Sequence, residues 1–286
     1  MDPAAAIRHF RGRFRALGDP ASAPAQQSYM KSALRFHGVT APQLRAVCAA
    51  FCRENELDAP ALHALVDALF ASDWFDLRSM GVALLERKHA LLRPRDSRWL
   101  IGLVRKSACW AHVDFLATKV IDPLVAGHPT LLAETRGWAA DSDFWVRRTA
   151  LLAQLGPLRR GGGDFALFAE LAAPMLDEKE FFIRKAIGWI LREVSKKRPG
   201  LVRDFLKEHG ARASGLTRRE GTKYLPAPMR RELGAGPPAK PRSKGAPRGA
   251  SSPPATPRAP PPPRRKGPAS RARRDPRAPA PRRKEE

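Results

Sequence analysis

The chain has 286 residues, 52 Lys and Arg against 28 Asp and Glu, and a net charge of +24 at pH 7. So basic a composition is typical first of proteins that bind nucleic acid and second of proteins that bind an anionic membrane surface. The three cysteines and the absence of a secretory signal or of an apolar run of about 20 residues lead us to expect a soluble, cytoplasmic protein of bacterial type.

The N-terminal part begins with a short basic amphipathic segment, residues 4–17. It either caps the first repeat with a basic outer face or docks on DNA, and the sequence alone leaves both interpretations open. Residues 18–28 contain Gly, Pro and Ser and predict a loop. Residues 29–31 are predicted to open a turn of helix, and Thr40 followed by Pro42 predicts the start of another helix.

Cys48 and Cys52 are four residues apart and are predicted to share one helix face. No His or third Cys lies close enough in sequence to complete a zinc site, so we interpret them as two cysteines of a buried helix.

Apolar periodicity predicts helices along the rest of the chain. The predicted helix pairs are 60–71 with 74–90, 97–106 with 109–126, 131–139 with 143–155, 165–176 with 180–197, and 200–209 with 216–224. The three glycines at 161–163 indicate a loop. Because no alternating strand pattern occurs, the predicted fold is all-α, a stack of about six helix pairs.

An aromatic pair, an aliphatic residue and one or two cations recur along the chain. The pattern is found at Phe144–Arg148, again 37 positions later at Phe181–Lys185, and in a related form at Trp74–Arg78. A period of roughly 35 to 40 residues is that of two-helix solenoid repeats of the HEAT type. In this register Arg148 is equivalent to Lys185, so stacked repeats are predicted to align cations in a groove that suits a polyanion.

The predicted helix at 180–197 has two distinct faces. Its apolar stripe is formed by Ile183, Ala186, Ile187, Ile190 and Val194. Trp189 lies off this stripe, on a face that it shares with Phe182 and three cations, Lys185, Arg192 and Lys196. Either a neighbouring helix covers Trp189, or the indole faces nucleic acid while the cations meet phosphate.

Residues 233–286 differ in composition from the rest of the chain. From Ala235 onward there are 15 Lys and Arg against 3 Asp and Glu, a net charge of +12, and the same region holds 15 of the 28 prolines. Without apolar periodicity such a segment is predicted to be a disordered tail, and the ordered domain is predicted to span 1–232. The tail either attaches non-specifically to DNA or RNA or has no dedicated role. The other half of the net charge belongs to the body.

Trp110 and Asp114 form the one local group that suggests chemistry. They are four residues apart and so lie one above the other on a helix face. A core Trp with an Asp at its rim explains the spacing as well as a functional pair does, and His112 is interpreted as incidental. The sequence predicts no metal site, no glycine-rich phosphate loop and no cofactor.

Five sequence runs, read together, resemble the AlkD-like DNA alkylation repair enzymes. They are YMKSALRFHGV, WFDLRSMGVALLER, CWAHVD, FWVRRTALLAQL and EFFIRKAIGWILREVSKKRP, followed by LTRREGTKYL, and the resemblance covers about residues 5 to 226. It implies a HEAT-like helical solenoid that holds duplex DNA in a basic concave groove. It also implies excision of cationic alkylated purines such as 3-methyladenine and 7-methylguanine, without a metal or cofactor, by a monomer.

Carried over by position, the resemblance implies that Asp114 is the catalytic carboxylate and that Trp110 and Trp189 are aromatic walls for the lesion nucleotide. It implies that Arg148 is a groove cation that binds phosphate and that Tyr29 is an aromatic residue near the same site. Three further residues are predicted to contact DNA: Arg78, Arg147 and Lys185. The sequence departs from the family at Cys109, where a second aromatic residue is expected, and this affects lesion preference more than activity.

Two functions from different classes follow from these residues. The first is a monofunctional DNA glycosylase. An alkylated purine already carries the positive charge that makes it a good leaving group, so one carboxylate is enough for its excision. No lysine stands out as a Schiff-base nucleophile, so we expect no strand cleavage. The second is a non-catalytic HEAT-repeat protein that recognises distorted or damaged DNA. An anion that faces DNA repels phosphate, and this favours the enzyme. A HEAT-type protein scaffold fits the aligned cations least well.

Overall fold

The structure, a computed structural model, describes residues 2–107 and 109–236. Most of these residues are helical. Their bounds are α1 Pro3–Leu17, α2 Ala23–Met30, α3 Ala41–Glu54, α4 Ala59–Phe70, α5 Phe75–Arg87, α6 Ser97–Ser107, α7 Trp110–Phe115, α8 Asp122–Gly127, α9 Leu132–Ala139, α10 Phe144–Leu152, α11 Leu155–Arg159, α12 Phe165–Ala172, α13 Phe181–Ser195, α14 Pro199–His209, α15 Gly215–Gly221 and α16 Ala227–Glu232. The predicted all-α fold is confirmed. The predicted tail lies outside the described residues from residue 237 onward.

Capping side chains explain where several helices begin. Asp58 accepts a hydrogen bond from the Ala61 amide at the start of α4, and Asp143 accepts one from the Trp145 amide at the start of α10. Glu180 does the same for the Phe182 amide at the start of α13. These carboxylates pair with amides that have no partner inside the helix, and their charge suits the positive end of the helix dipole.

The helix predicted over 109–126 changes geometry directly after Asp114. α7 ends at Phe115, a π-helical turn covers Leu116–Ile121, and α8 continues from Asp122. Thr118 donates a hydrogen bond from its hydroxyl to the Asp114 carbonyl at 2.7 Å, within this turn. Such turns recur at functional sites.

Three local predictions were wrong. Residues 18–28 were predicted as a loop, but α2 begins at Ala23, since Pro24 falls in its first turn, where a missing N–H costs nothing. Lys31 was predicted to lie in an opening turn of helix; instead it ends α2 in the left-handed conformation, with φ at 49°. The short helices α11 and α16 were not predicted.

The second helices of the pairs form a continuous row in which each contacts the next, in the order α3, α5, α7, α10, α13, α15. This is the layered packing of a HEAT-like solenoid. α13 and α15 approach closely at Gly188, where an added Cβ would lie 2.9 Å from the Cβ of Glu220. Asp114, Arg148 and Trp189 lie on three successive helices of the row, so the stack brings distant parts of the sequence to one face.

Two apolar clusters fill the spaces between the helices. The first is built mainly from α1 to α8 and includes the fully buried Phe10, Phe14 and Phe70. The second is built mainly from α10 to α14 and includes Phe168 and the apolar stripe of α13. The predicted stripe is confirmed, since all five of its residues are buried. None of the helices in the described part combines the length and the apolarity that crossing a membrane requires.

Candidate active site and DNA-contact surface

A two-bond ion pair joins Asp114 on α7 to Arg148 on α10. The Nε atom of Arg148 donates to Oδ1 of Asp114 at 2.7 Å, and Nη2 donates to Oδ2 at 2.9 Å. The Arg148 side chain is 3% exposed and that of Asp114 is 16% exposed. The fork of the guanidinium therefore fixes the plane of the carboxylate, while the carboxylate keeps a small contact with solvent.

Arg148 makes a third hydrogen bond that extends the pair to α13. Its Nη1 atom donates to the carbonyl oxygen of Phe182 in the first turn of α13. Its guanidinium carbon also lies 5.8 Å from the centre of the Phe182 ring. One buried arginine thus links three successive helices of the row, and it sets the position of Asp114 relative to both neighbours.

This geometry corrects one expectation from the sequence. Arg148 was expected to bind a phosphate from the groove, but only 2% of the residue is exposed and its donors face Asp114 and Phe182. A buried arginine needs a paired acceptor, and here the acceptors are protein groups. Arg148 is placed as a positioning residue for Asp114.

Trp110 and Tyr29 form an aromatic pair beside Asp114. Trp110 lies one turn before Asp114 on α7, and the Tyr29 ring meets it edge to face, with ring centres 5.8 Å apart. Tyr29 is 70% exposed, whereas Trp110 is half-buried. With Arg148 bonded to Asp114, the structure thus brings together four of the predicted residues: Tyr29, Trp110, Asp114 and Arg148.

Cys109 occupies the place where a second aromatic residue was expected. Its side chain is buried, and the thiol donates to the carbonyl oxygen of Met30 at 3.7 Å. Burial raises the pKa of this thiol, so it stays protonated and remains a donor. The small side chain therefore lets the end of α2 pack directly against the start of α7, which places Tyr29 on Trp110.

Trp189 lies farther along α13 than Phe182, the residue of this helix that Arg148 contacts. It follows Phe182 by seven residues on nearly the same helix face, which corresponds to about 10 Å along the axis. The indole is half-buried against the second apolar cluster, and the guanidinium carbon of Arg159 lies 5.9 Å from its ring centre. The interpretation that a neighbouring helix covers Trp189 holds for the buried part of the indole, and contact of its exposed part with nucleic acid stays a prediction.

The recurring arginine of the repeat pattern stabilises the loops between repeats. Arg78, Arg147 and Arg184 each donate to the carbonyl oxygen six residues earlier, at 2.6 to 2.7 Å. Arg78 also donates to the Lys106 carbonyl, and Arg147 forms two bonds with Glu178 at 3.0 and 2.8 Å. These donors connect one repeat to the next, a role that the sequence pattern did not reveal.

Lys185 is more exposed than Arg147, another of the three further cations predicted to contact DNA. Its Nζ atom lies 3.1 Å from Glu220 of α15, and its side chain remains 38% exposed. Burial acts against ionisation of Glu220, but the bonds from Lys185 and Arg192 outweigh it and lower its pKa. Carboxylates therefore lie beside the cations that were predicted to align in the groove. Lys185 keeps more access to a phosphate than Arg147 does.

His112 has a role that the sequence did not suggest. It is buried on α7, with Nε2 2.9 Å from the Ser79 hydroxyl and its ring stacked on Phe75 at 4.4 Å. Burial, and next the charge of Arg78, lower its pKa to about 3, so the ring is neutral at physiological pH.

Among residues 2–107 and 109–236, no three His, Cys, Asp or Glu side chains are close enough to hold a metal ion together.

Comparisons with known proteins agree with the resemblance read from the sequence. A predicted DNA alkylation repair enzyme from Enterococcus faecalis is 28% identical and superposes with a TM-score of 0.68 over 73% of this chain and 97% of that one. AlkD2 from Streptococcus mutans is 19% identical and superposes with a TM-score of 0.51 over 65% of this chain and 90% of that one. The protein smu.31 from Streptococcus mutans is 18% identical, with a TM-score of 0.51 over 65% of this chain and 92% of that one. Both structures support the fold.

Among curated proteins no match is found. The family model described as DNA alkylation repair enzyme matches residues 10–225, which is most of the chain. The match includes all the candidate residues, from Tyr29 to Trp189. The chain therefore belongs to the DNA alkylation repair enzyme family.

Proposed function

We propose that this protein is a monofunctional DNA glycosylase that hydrolyses the N-glycosidic bond of cationic alkylated purines in duplex DNA, and so initiates base excision repair. The observation that carries the proposal is the Asp114 carboxylate, held by two bonds from buried Arg148 beside the aromatic pair of half-buried Trp110 and exposed Tyr29. Membership of the family supports action on DNA, and the geometry supports the finer reaction.

The proposed reaction needs one carboxylate. Hydrolysis of an ordinary glycosidic bond uses two, one of which protonates the leaving group. A purine alkylated at N3 or N7 is already cationic and leaves as a neutral base. Asp114 then stabilises the positive charge that develops on the sugar and orients the attacking water. A carboxylate that Arg148 already holds in one orientation does this without reorganising.

The aromatic residues are proposed to hold the lesion nucleotide. Trp faces attract positive charge through their quadrupole, and a cationic purine carries such charge. Tyr29 offers a mostly exposed ring next to Trp110. Trp189, about 10 Å along α13 from the Arg148 contact, is proposed to meet a nucleotide or sugar next to the lesion. Lys185 is proposed to contact phosphate.

A non-catalytic protein that recognises damaged DNA is the second candidate, and one observation favours it. The argument against such a protein was that a carboxylate facing DNA repels phosphate. Arg148 offsets the charge of Asp114, so the pair as a whole repels phosphate much less than a lone carboxylate does. Reaction chemistry is therefore needed to separate the two.

The test is release of base from a duplex that carries a single 7-methylguanine, measured with the purified full-length chain. The proposal predicts free 7-methylguanine and an intact strand with an abasic site. Borohydride added during the reaction is expected to trap no covalent protein–DNA complex, because water and not a lysine attacks the sugar. Tight binding without release of base would establish the non-catalytic candidate.

A further inference from the structure

A basic cleft of about 700 Å³ lies between α15 and α16, at the end of the row of contacting helices. Its lining holds four cations: Arg218, Arg219, Lys223 and Arg230. The family model ends at residue 225, so α16 and the part of the lining that it contributes lie outside the matched region. The cleft is therefore a feature of this chain that membership of the family does not explain.

Most of the positive charge in the cleft has no partner within the described part of the protein. Arg218 donates one hydrogen bond, from Nη2 to the carbonyl oxygen of Leu233 at 3.2 Å. Among residues 2–107 and 109–236, the side chains of Arg219, Lys223 and Arg230 form no hydrogen bond and no ion pair. Like charges that share one cleft repel each other, and this repulsion raises the free energy of the folded chain.

The acidic residues of α15 and α16 have other partners. Glu220 lines the cleft, but its carboxylate accepts hydrogen bonds from Lys185 and Arg192 of α13. Glu232 forms its ion pair with Lys207 of α14. Neither carboxylate is bonded to a cation of the cleft, so the cleft keeps its excess of positive charge and favours an anionic ligand.

Arg230 is well placed to bind such a ligand. Its Nε atom is buried and has no hydrogen-bond partner among the described residues. A partly desolvated guanidinium without an acceptor costs free energy, and an anion bonded to its outer nitrogens offsets this cost. The guanidinium fork matches two oxygens of a phosphate group, and the exposed Arg219 and Lys223 add further donors. Because a phosphate group has several acceptor oxygens, it can bond to more than one of these cations at once.

We propose that this cleft binds a phosphate group. The backbone of bound DNA is the expected source, because Glu220 in the wall of the cleft is bonded to Lys185, the proposed phosphate contact on α13, at 3.1 Å. The cleft thus extends the proposed DNA-contact surface by one helix. Its volume is that of roughly twenty waters in the liquid, which is enough for a phosphate with its adjoining sugars. The DNA source rests on the proposed function, whereas the phosphate chemistry rests on the cleft itself.

The first test measures how salt weakens binding of the full-length chain to an undamaged duplex, between about 50 and 200 mM. The cleft variant carries Arg219→Ala and Arg230→Ala. It is expected to lower the slope of log K against log salt by about one unit, since one phosphate contact is lost. The matched control variant carries Arg95→Ala and Arg98→Ala, which remove two exposed arginines beside the start of α6, outside the row. Its slope is expected to equal that of the wild type.

Inorganic phosphate is the second probe, and its binding to the full-length chain is followed by phosphorus NMR. The wild type and the control variant are expected to bind it saturably with equal affinity. The cleft variant is expected to bind it at least fivefold more weakly, because two of the four cations are gone.

The two probes together distinguish the sources of the phosphate. A lowered salt slope in the cleft variant assigns the site to the DNA backbone. An unchanged slope with weakened binding of inorganic phosphate assigns it to a small phosphate compound, and both outcomes support a phosphate site. The proposal is overturned if the folded cleft variant matches the wild type with both probes, or if the control variant loses as much. Because the duplex carries no lesion, neither probe depends on excision, so this inference and the proposed function can fail separately.

Discussion

Arg148 and Asp114 face each other edge to edge across the contact between α10 and α7, with both oxygens of the carboxylate bonded, at 2.7 and 2.9 Å. The two residues are 34 positions apart, which is close to the length of one repeat. Arg148 also holds the first turn of α13 through the Phe182 carbonyl. The orientation of the proposed catalytic carboxylate is therefore set by the stacking of three repeats and not by α7 alone.

Arg148→Lys is predicted to lower single-turnover excision by at least tenfold while leaving the salt dependence of DNA binding unchanged. Lysine keeps the charge, but it cannot bond both carboxylate oxygens in one plane, so Asp114 loses its fixed orientation. A residue that bound phosphate would change the slope of log K against log salt by about one unit when lost. Measuring rate and slope together separates the two roles. A reduced slope of log K against log salt, with a normal excision rate, would show that Arg148 binds a phosphate instead.

Arg148→Met is predicted to destabilise the fold by about 3–5 kcal/mol, because it leaves the Asp114 carboxylate without its buried partner. Urea unfolding at pH 7 measures this free energy. The matched control is Arg136→Met, which breaks the exposed pair with Glu170 and is expected to have a much smaller effect. Equal effects in the two variants would contradict the structural role of Arg148.

The sequence was sufficient to predict the helix pairs, the repeat period and the apolar stripe of α13, because each depends on local periodicity and capping. It was not sufficient to predict which arginine side chains of a repeat are buried. Arg147 and Arg148 are adjacent and chemically identical, and only the packing of α10 against α7 and α13 buries the second while the first bridges to Glu178. Since a charged residue is rarely buried, the sequence favoured an exposed groove cation.

The stability of the fold is predicted to decrease between about pH 4 and pH 6 through Asp122. Burial raises the pKa of Asp122 to about 6, although the Gly156 amide donates to it at 2.6 Å. In the unfolded chain the pKa is about 3.9. In this window the native state therefore binds more protons than the unfolded state, so the free energy of unfolding falls as pH rises and levels off above the folded pKa.

Asp122→Asn removes this titration. The variant is predicted to lose the decrease between pH 4 and 6 and to be more stable than the wild type at pH 7, by on the order of 2 kcal/mol. Urea unfolding at pH 4.5 and pH 7 measures both effects. An unchanged pH profile in Asp122→Asn would show that Asp122 does not titrate in this range.

One of the three cysteines is predicted to react much faster than the others. The neighbouring Cys48 thiol and the charges of Lys88 and Arg87 outweigh burial and lower the pKa of Cys52 to about 7. The neighbouring Cys52 and burial raise the pKa of Cys48, and burial raises that of Cys109. Iodoacetamide is expected to modify one thiol at a rate that rises with pH around a midpoint near 7. The fast phase is expected to disappear in Cys52→Ser; if it persists, another thiol is responsible.

Removal of residues 237–286 is predicted to weaken DNA binding at low salt and to leave single-turnover excision unchanged. The removed segment carries half of the net charge of +24, and its contribution to affinity is expected to come from counterion release, which added salt suppresses. Filter binding at two salt concentrations and a single-turnover time course measure the two effects. A slower chemical step in the shortened chain would contradict the domain boundary proposed at residue 232.

The central claim is that Asp114 promotes cleavage of the glycosidic bond, and it is tested most directly by single-turnover release of 7-methylguanine from duplex DNA, with wild type and Asp114→Asn side by side. Asn preserves the size of the side chain but removes its negative charge. The account predicts release by the wild type, release at least a hundredfold slower by Asp114→Asn, and DNA affinity in the variant that is equal or higher. Equal rates of release in the two proteins would contradict it.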